Sequence, residues 1–164
     1  MSIEVVEGDI TAQPDLDAVV NAANARLKTG GGVAGAIHRA AGPDLEEACR
    51  PLAPIEPGQA VITKAFELPN RYVVHVLGPR YGIDEPSDQL LSAAYRNALS
   101  CCGDHGVASV GFPAISAGAF GYPLADAARI AVETVKASAP CELNVRFVLF
   151  DPDTRRAFAE VLEG

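Results

Sequence analysis

The stretch Asn21-Ala22-Ala23-Asn24-Ala25-Arg26-Leu27-Lys28-Thr29-Gly30-Gly31-Gly32-Val33-Ala34-Gly35-Ala36-Ile37-His38 constrains this chain more than any other. It follows the apolar run Leu16 to Val20, presents two asparagines and three consecutive glycines, and then opens an Ala/Ile-rich helical pattern. Consecutive glycines admit positive φ and let another group approach the main chain closely. Ahead of a helix start, their N–H groups form a cup in which the helix dipole also favours negative charge. This order implies a phosphate or other anion site with two side-chain amides beside it.

The rest of the chain alternates strand and helix signals. Ile3 to Glu7 reads as a strand, broken by the turn Gly8-Asp9-Ile10-Thr11, where the Asp9 side chain can brace the backbone. Leu16 to Asn21 reads as a strand covered on both faces. Val33 to Ala41 is helical by its apolar spacing and ends at Gly42-Pro43. Asp44 can cap a short helix to Arg50, and Pro51, Pro54 and Pro57 follow as a rigid connection. Strands are predicted over Gln59 to Lys64 and Arg71 to Leu77, with Leu68-Pro69-Asn70 as the turn between them. A longer helix starts at Pro86 or Ser87, with Leu90, Leu91, Ala94, Ala98, Leu99 and Cys102 as its apolar stripe. A strand over Ala108 to Phe112 leads into a second glycine-rich loop, Pro113 to Tyr122. Pro123 suits the first position of the next helix. Val145 to Phe150 is an apolar strand interrupted by Arg146, and Asp151-Pro152 starts a final helix to about Leu162. This pattern is an α/β domain with a parallel or mixed sheet and helices on both faces, expected as one domain over 1–164. Both glycine-rich loops follow strands, and such sheets bind ligands at strand carboxyl ends.

Charge excludes further classes. A net charge of −8 repels a nucleic-acid backbone, so general DNA binding is not expected, and an anion would be held by backbone N–H groups. Cys49, Cys101, Cys102 and Cys141 form no CxxC pair or disulfide framework, which suits reduced thiols and a cytoplasmic setting. Neither a signal peptide nor a run near the ~20 apolar residues of a membrane span is found.

Three familiar chemistries fail on spacing. Gly30-Gly31-Gly32-Val33-Ala34-Gly35 matches G-x-G-x-x-G, but Ala22 to Thr29 separate it from the strand, and a dinucleotide site needs the glycines directly after it. No Lys-Ser/Thr follows the glycines, so there is no phosphate loop of the Walker type. Ala114-Ile115-Ser116-Ala117-Gly118 resembles a serine-hydrolase elbow, yet His38, His75 and His105 all precede Ser116, and that fold needs its histidine after the serine. Ser116 then reads as a hydroxyl or N–H donor in an anion loop. His75 reads as a core or edge residue, and His38 as a packed residue or one near the glycine cup. No metal-ligand cluster and no cofactor is expected.

Taken together, Gly8-Asp9-Ile10-Thr11, Val20-Asn21-Ala22-Ala23-Asn24, Gly30 to Gly42 and Ile115 to Pro123 resemble a macrodomain, most closely of the MacroD type. The likeness spans essentially the whole chain, in order and at the family's spacing. It implies a three-layer α/β/α sandwich around a mixed sheet, with ADP-ribose and ADP-ribosylated macromolecules as partners. By position, Asp9 resembles the acid that accepts from the adenine amino group, with Ile10 beside it. Phe150 falls near the aromatic that packs on adenine. Gly32 and Val33 would offer N–H groups to the diphosphate. Ser116, Ala117, Gly118, Ala119 and Phe120 would form the second phosphate loop, with Phe120 against the distal ribose. Asn24 matches the distal-ribose asparagine and is the candidate catalytic residue, while Asn21 braces the loop.

One departure separates two functions. MacroD-type hydrolases carry an aspartate after Gly-Gly-Val, and this chain has Ala34 there. The near-complete pattern implies hydrolysis of mono-ADP-ribosyl linkages, or of O-acetyl-ADP-ribose, without that acid. Ala34 supports the alternative, a non-catalytic ADP-ribose reader. Under either, Asp9→Ala is expected to weaken ADP-ribose binding by about 1–3 kcal/mol in a calorimetric titration; unchanged affinity would remove Asp9 from the site.

Overall fold

The structure, a computed structural model, describes residues 2–164. Strands β1 (Ser2–Glu7), β2 (Ala18–Ala22), β3 (Ala60–Lys64), β4 (Tyr72–Val76), β5 (Ser109–Phe112) and β6 (Asn144–Leu149) form one sheet in the order β1-β6-β5-β2-β4-β3. All neighbours are parallel except β3, which runs antiparallel to β4. Helices α1 (Gly32–Ala41) and α2 (Asp44–Cys49) cover one face; α3 (Ser87–Asp104), α4 (Leu124–Ser138) and α5 (Pro152–Glu163) cover the other. The result is the expected three-layer α/β/α sandwich.

Strand alternation divides the core. Val110, Phe112, Val145, Phe147 and Leu149 point at α3, α4 and α5, where Tyr95, Phe112, Phe147 and Phe158 form a chain of ring contacts with centroids 5.2 to 6.4 Å apart. Val19, Val73 and Val148 point the other way, at Ile37, Ala41 and Leu45 of α1 and α2. Cys49 and Cys102 are buried as small core residues, and burial pushes their thiols up to about 11 and about 12. No helix among the described residues is long and apolar enough to cross a membrane.

Element ends depart from the sequence reading where side chains compete for backbone groups. Strand β2 starts at Ala18 rather than Leu16, because Asn70 Nδ2 donates to the carbonyls of Gln13 and Leu16, both at 2.8 Å, and holds that segment as a loop. Asp44 is the first helical residue of α2 and caps nothing; it joins Glu46 and Glu47 in the first turn, where negative charge suits the helix dipole. Arg50 and Pro51 leave α2 for a short 3₁₀ turn, Arg50–Leu52. Pro123 precedes α4 with ψ 129° instead of opening it, and its carbonyl accepts from Ala127 N. Strand β6 ends at Leu149, so Phe150 turns outward and is 89% exposed. Asp151 caps α5 as expected, accepting from Thr154 N at 2.8 Å.

A buried polar cluster crosses the sheet beneath α2. Asn21 of β2 and His75 of β4 are register partners, and Asn21 Nδ2 lies 3.1 Å from His75 Nδ1. An amide NH₂ only donates, so Nδ1 accepts and the ring proton sits on Nε2. That proton points at Thr63 Oγ1 of β3, 3.0 Å away, whose own hydroxyl donates to the Lys64 carbonyl. His75 is therefore a core histidine, and Asn21 braces it rather than the glycine loop. Burial holds the imidazole neutral and lowers its pKa from 6.5 to about 3. A folded-state pKa below the unfolded one means the unfolded chain takes up a proton first as pH falls. His75 should thus stabilise the fold fully above pH 6.5, and its contribution should decline by about 1.4 kcal/mol per unit between 6.5 and 3. Urea unfolding at pH 7 and pH 5 checks this, with His75→Gln expected to reduce the difference.

Candidate functional site

The parallel strands all send their carboxyl ends to one edge of the sheet. At that edge the chain leaves β2 toward β4 and β3, but leaves β5 toward β6, so β2 and β5 flank a topological switch point. Ligands of open α/β sheets bind in the crevice such a reversal creates. A cleft of about 970 Å³ opens there. Asp9, Ile10, Asn24, Gly32, Val33, Ser116, Ala117, Gly118, Ala119, Phe120 and Phe150 all line it.

One wall is the start of α1. Gly31 is its N-cap and offers no side-chain cap, and the first turn holds no acidic residue. The N–H groups of Gly32, Val33 and Ala34 have no intrahelical acceptor by helix geometry. Gly32 has φ +57°, a value natural to glycine. Gly35 permits the close approach beside it: a Cβ there would collide with the Gly30 carbonyl and touch the Arg39 guanidinium. The loop into this turn is braced by Asn24, whose Nδ2 donates to the Lys28 carbonyl at 2.7 Å and whose Oδ1 accepts from Lys28 N at 3.0 Å. Glu46 of α2 accepts from Thr29 N at 3.1 Å, and that N–H holds its carboxyl below the ordinary range.

The facing wall is the loop after β5. Ala117 N, Gly121 N and Tyr122 N are used inside it, donating to the carbonyls of Ala114, Gly118 and Ser116. The N–H groups of Ser116, Gly118, Ala119 and Phe120 have no acceptor among the described residues. Ser116 sits at φ +66°, and its hydroxyl donates to the Pro79 carbonyl at 2.7 Å, so it anchors the loop and leaves only its N–H to the cleft. Tyr95 supports the loop from inside, donating to the Pro113 carbonyl at 3.4 Å and accepting from Ile115 N at 3.3 Å. Tyr81 N donates to the Phe120 carbonyl, and the Tyr81 ring meets Tyr122 edge-on.

The third side belongs to β1 and β6. Asp9 Oδ1 accepts from Thr11 N at 2.9 Å and Thr11 Oγ1 at 2.7 Å, which lowers the Asp9 pKa. Asp9 therefore braces its turn, while Oδ2 has no partner among the described residues. Phe150 stands exposed on the same side. The cleft thus joins two groups of N–H donors without acceptors among the described residues, a carboxylate and an amide, a donor set that suits a phosphate-bearing ligand. Residues 20–131 match the family described as Macro domain.

The chain belongs to the macro domain family. An O-acetyl-ADP-ribose deacetylase of Enterobacter cloacae is 46% identical over 168 residues, covering 98% of this chain and 93% of that protein. A macro domain-containing protein of Lactiplantibacillus plantarum is 43% identical, covering 99% and 96%. Among solved structures, the Oceanobacillus iheyensis macrodomain with ADP superposes with a TM-score of 0.94 at 37% identity, covering 98% of this chain and 90% of that one. The Trypanosoma brucei macrodomain in complex with ADP-ribose gives 0.85 at 36%, covering 96% and 68%.

Several wall residues of this macro domain escaped the sequence reading. Arg39 is the one cationic side chain among the described residues of the cleft wall; its helical spacing from Gly32 and Ala36 carried the signal. Asp151 and Thr154 read only as a helix start, and what brings them here is the end of β6. Gly78 has no local signal, because its role lies in space: a Cβ would collide with the Ser116 side chain. His38, by contrast, does not line the cleft. It is 5% exposed on the packed side of α1, and burial lowers its pKa. Gly35→Ala should push the Gly30 loop away from the helix start, and ADP-ribose titration should show affinity at least about tenfold weaker, the scale of one lost charge-assisted hydrogen bond.

Proposed function

We propose that this macro domain, acting as one unit over 1–164, binds ADP-ribose and hydrolyses groups from its distal ribose. The substrates would be O-acetyl-ADP-ribose or mono-ADP-ribosylated macromolecules. The observation that carries the reading is the pair of N–H nests facing each other across the β2/β5 switch point. The 46% identity to a protein named O-acetyl-ADP-ribose deacetylase supports the choice of reaction. In this reading Asp9 accepts from the adenine amino group, with Ile10 beside it and Phe150 against the ring. Gly32 and Val33 bind one phosphate. Ser116, Ala117, Gly118 and Ala119 frame the other, and Phe120 packs on the distal ribose.

The chemistry then runs without a wall base at the reacting end. The described wall holds the carboxylates Asp9 and Asp151 on the adenine side, and no histidine, cysteine or glutamate. Ala34 supplies no acid. A phosphate oxygen of the bound substrate takes the proton from a water. The water oxygen bonds to the acyl carbon, the acyl–ribose C–O bond breaks, and the ribose oxygen recovers a proton. Asn24 keeps one Nδ2 hydrogen and one Oδ1 lone pair beyond its bonds to Lys28, enough to orient a ribose hydroxyl. It acts by orientation, since an amide is no base.

Ala34 also favours a second reading, a module that binds ADP-ribose without turnover. Incubation with O-acetyl-ADP-ribose and with a glutamate-linked mono-ADP-ribosylated protein separates the two. Hydrolysis predicts multiple turnovers that fall by about 10²-fold in Asn24→Ala, the scale of lost orientation. Tight ADP-ribose binding with no product on either substrate assigns the reader role.

A further inference from the structure

Arg146 interrupts the apolar strand β6, and nothing in the site described above uses it. It lies on the same sheet face as Val148, two residues on, and Val148 lines the cleft. Its side chain is 18% exposed and heavily bonded. Nε donates to Glu4 Oε1, its register partner on β1. Nη1 and Nη2 grip the two oxygens of Asp15 at 2.9 and 2.7 Å, and Nη1 also donates to Gln13 Oε1 at 2.9 Å. Gln13 passes this on: its Nε2 donates to the Asp9 carbonyl at 2.9 Å. The amide cannot flip, because it faces a donor-only guanidinium on one side and a carbonyl acceptor on the other.

The bonds therefore converge on the loop that presents Asp9 to the cleft. The Asp9 carboxylate is aimed locally by Thr11; its carbonyl accepts from Ala12 N inside the turn at 3.0 Å and also from Gln13 Nε2, which is the tie to β6. We infer that Arg146 is a positioning residue for adenine recognition, holding the Asp9 backbone through Gln13 so that the free carboxylate oxygen meets the base. This rests on the reading of Asp9 as the acid that accepts from the adenine amino group, and adds what fixes its place. Arg146 touches no reacting atom.

Titration with ADP-ribose and with its hypoxanthine counterpart, which has a carbonyl oxygen in place of the amino group, tests it. The wild type should prefer ADP-ribose. Arg146→Met should weaken ADP-ribose binding about tenfold and leave the hypoxanthine ligand nearly unchanged, so the preference collapses. Turnover should show a raised KM with kcat retained, because the chemistry lies at the other end of the cleft. Gln13→Glu guards against simple destabilisation. It keeps the contact to Arg146 but sets an oxygen against the Asp9 carbonyl, so it should lose the preference at an unchanged unfolding temperature. If Gln13→Glu keeps the wild-type preference while Asp9→Ala loses it, the positioning role is overturned and the reading of Asp9 stands. If Asp9→Ala itself keeps the preference, the adenine reading fails and the inference fails with it.

Discussion

Backbone N–H groups left without acceptors, and gathered at one edge of a parallel sheet, are the constraint on which this molecule turns. Buried or confined peptide groups need partners. Here two sets of donors, at the start of α1 and in the loop after β5, meet across the β2/β5 switch point. The described cleft wall carries no basic patch that could hold a diphosphate by formal charge. Oriented amides supply positive potential where formal charge is scarce, and Arg39 is the one cationic side chain among the described wall residues.

Keeping those donors free demands that the rest of each loop be tied down. Asn24 closes the Lys28 turn, Glu46 holds Thr29, and Ser116 gives its hydroxyl to Pro79. Each bond satisfies a group beside the cleft without covering a donor inside it. The same division holds where β1 and β6 border the cleft. Asp9 spends one oxygen on Thr11 and retains the other, while Gln13 and Arg146 hold the main chain beneath. The polar residues Asn21, His75 and Arg146 belong to the sheet face of α1 and α2, and each is bonded across strands. The opposite face is built from aliphatic packing and tilted or edge-on rings. Both faces of the sheet thus carry an apolar core, and the α1/α2 face adds polar contacts that link neighbouring strands.

Local chemistry made much of this legible. Glycine runs, proline positions and apolar periodicity identified each strand and helix to within a few residues, because they act on neighbouring φ and ψ angles and on one face at a time. At the start of β2 the end moved because a distant side chain intervened: Asn70 reaches back to Gln13 and Leu16. Asn21 faces His75 instead of the loop it was expected to brace, and Asn24 braces that loop while lining the cleft. Their identity as amides was plain, but which one faces a loop and which one faces a histidine depends on strand register, and register involves residues 54 positions apart.

The amino-acid order alone therefore determined the layered α/β class, the two N–H loops and the residue types of the cleft, since these follow from local geometry and periodicity. Only the tertiary structure decided which groups remain available. Ser116 loses its hydroxyl to Pro79, His75 takes a neutral tautomer between Asn21 and Thr63, and Gly78 must lack a side chain because of a loop far along the chain. The physical reason is that hydrogen-bond satisfaction is a property of the assembled interior: a donor is free or spent according to what the fold brings within about 3 Å of it.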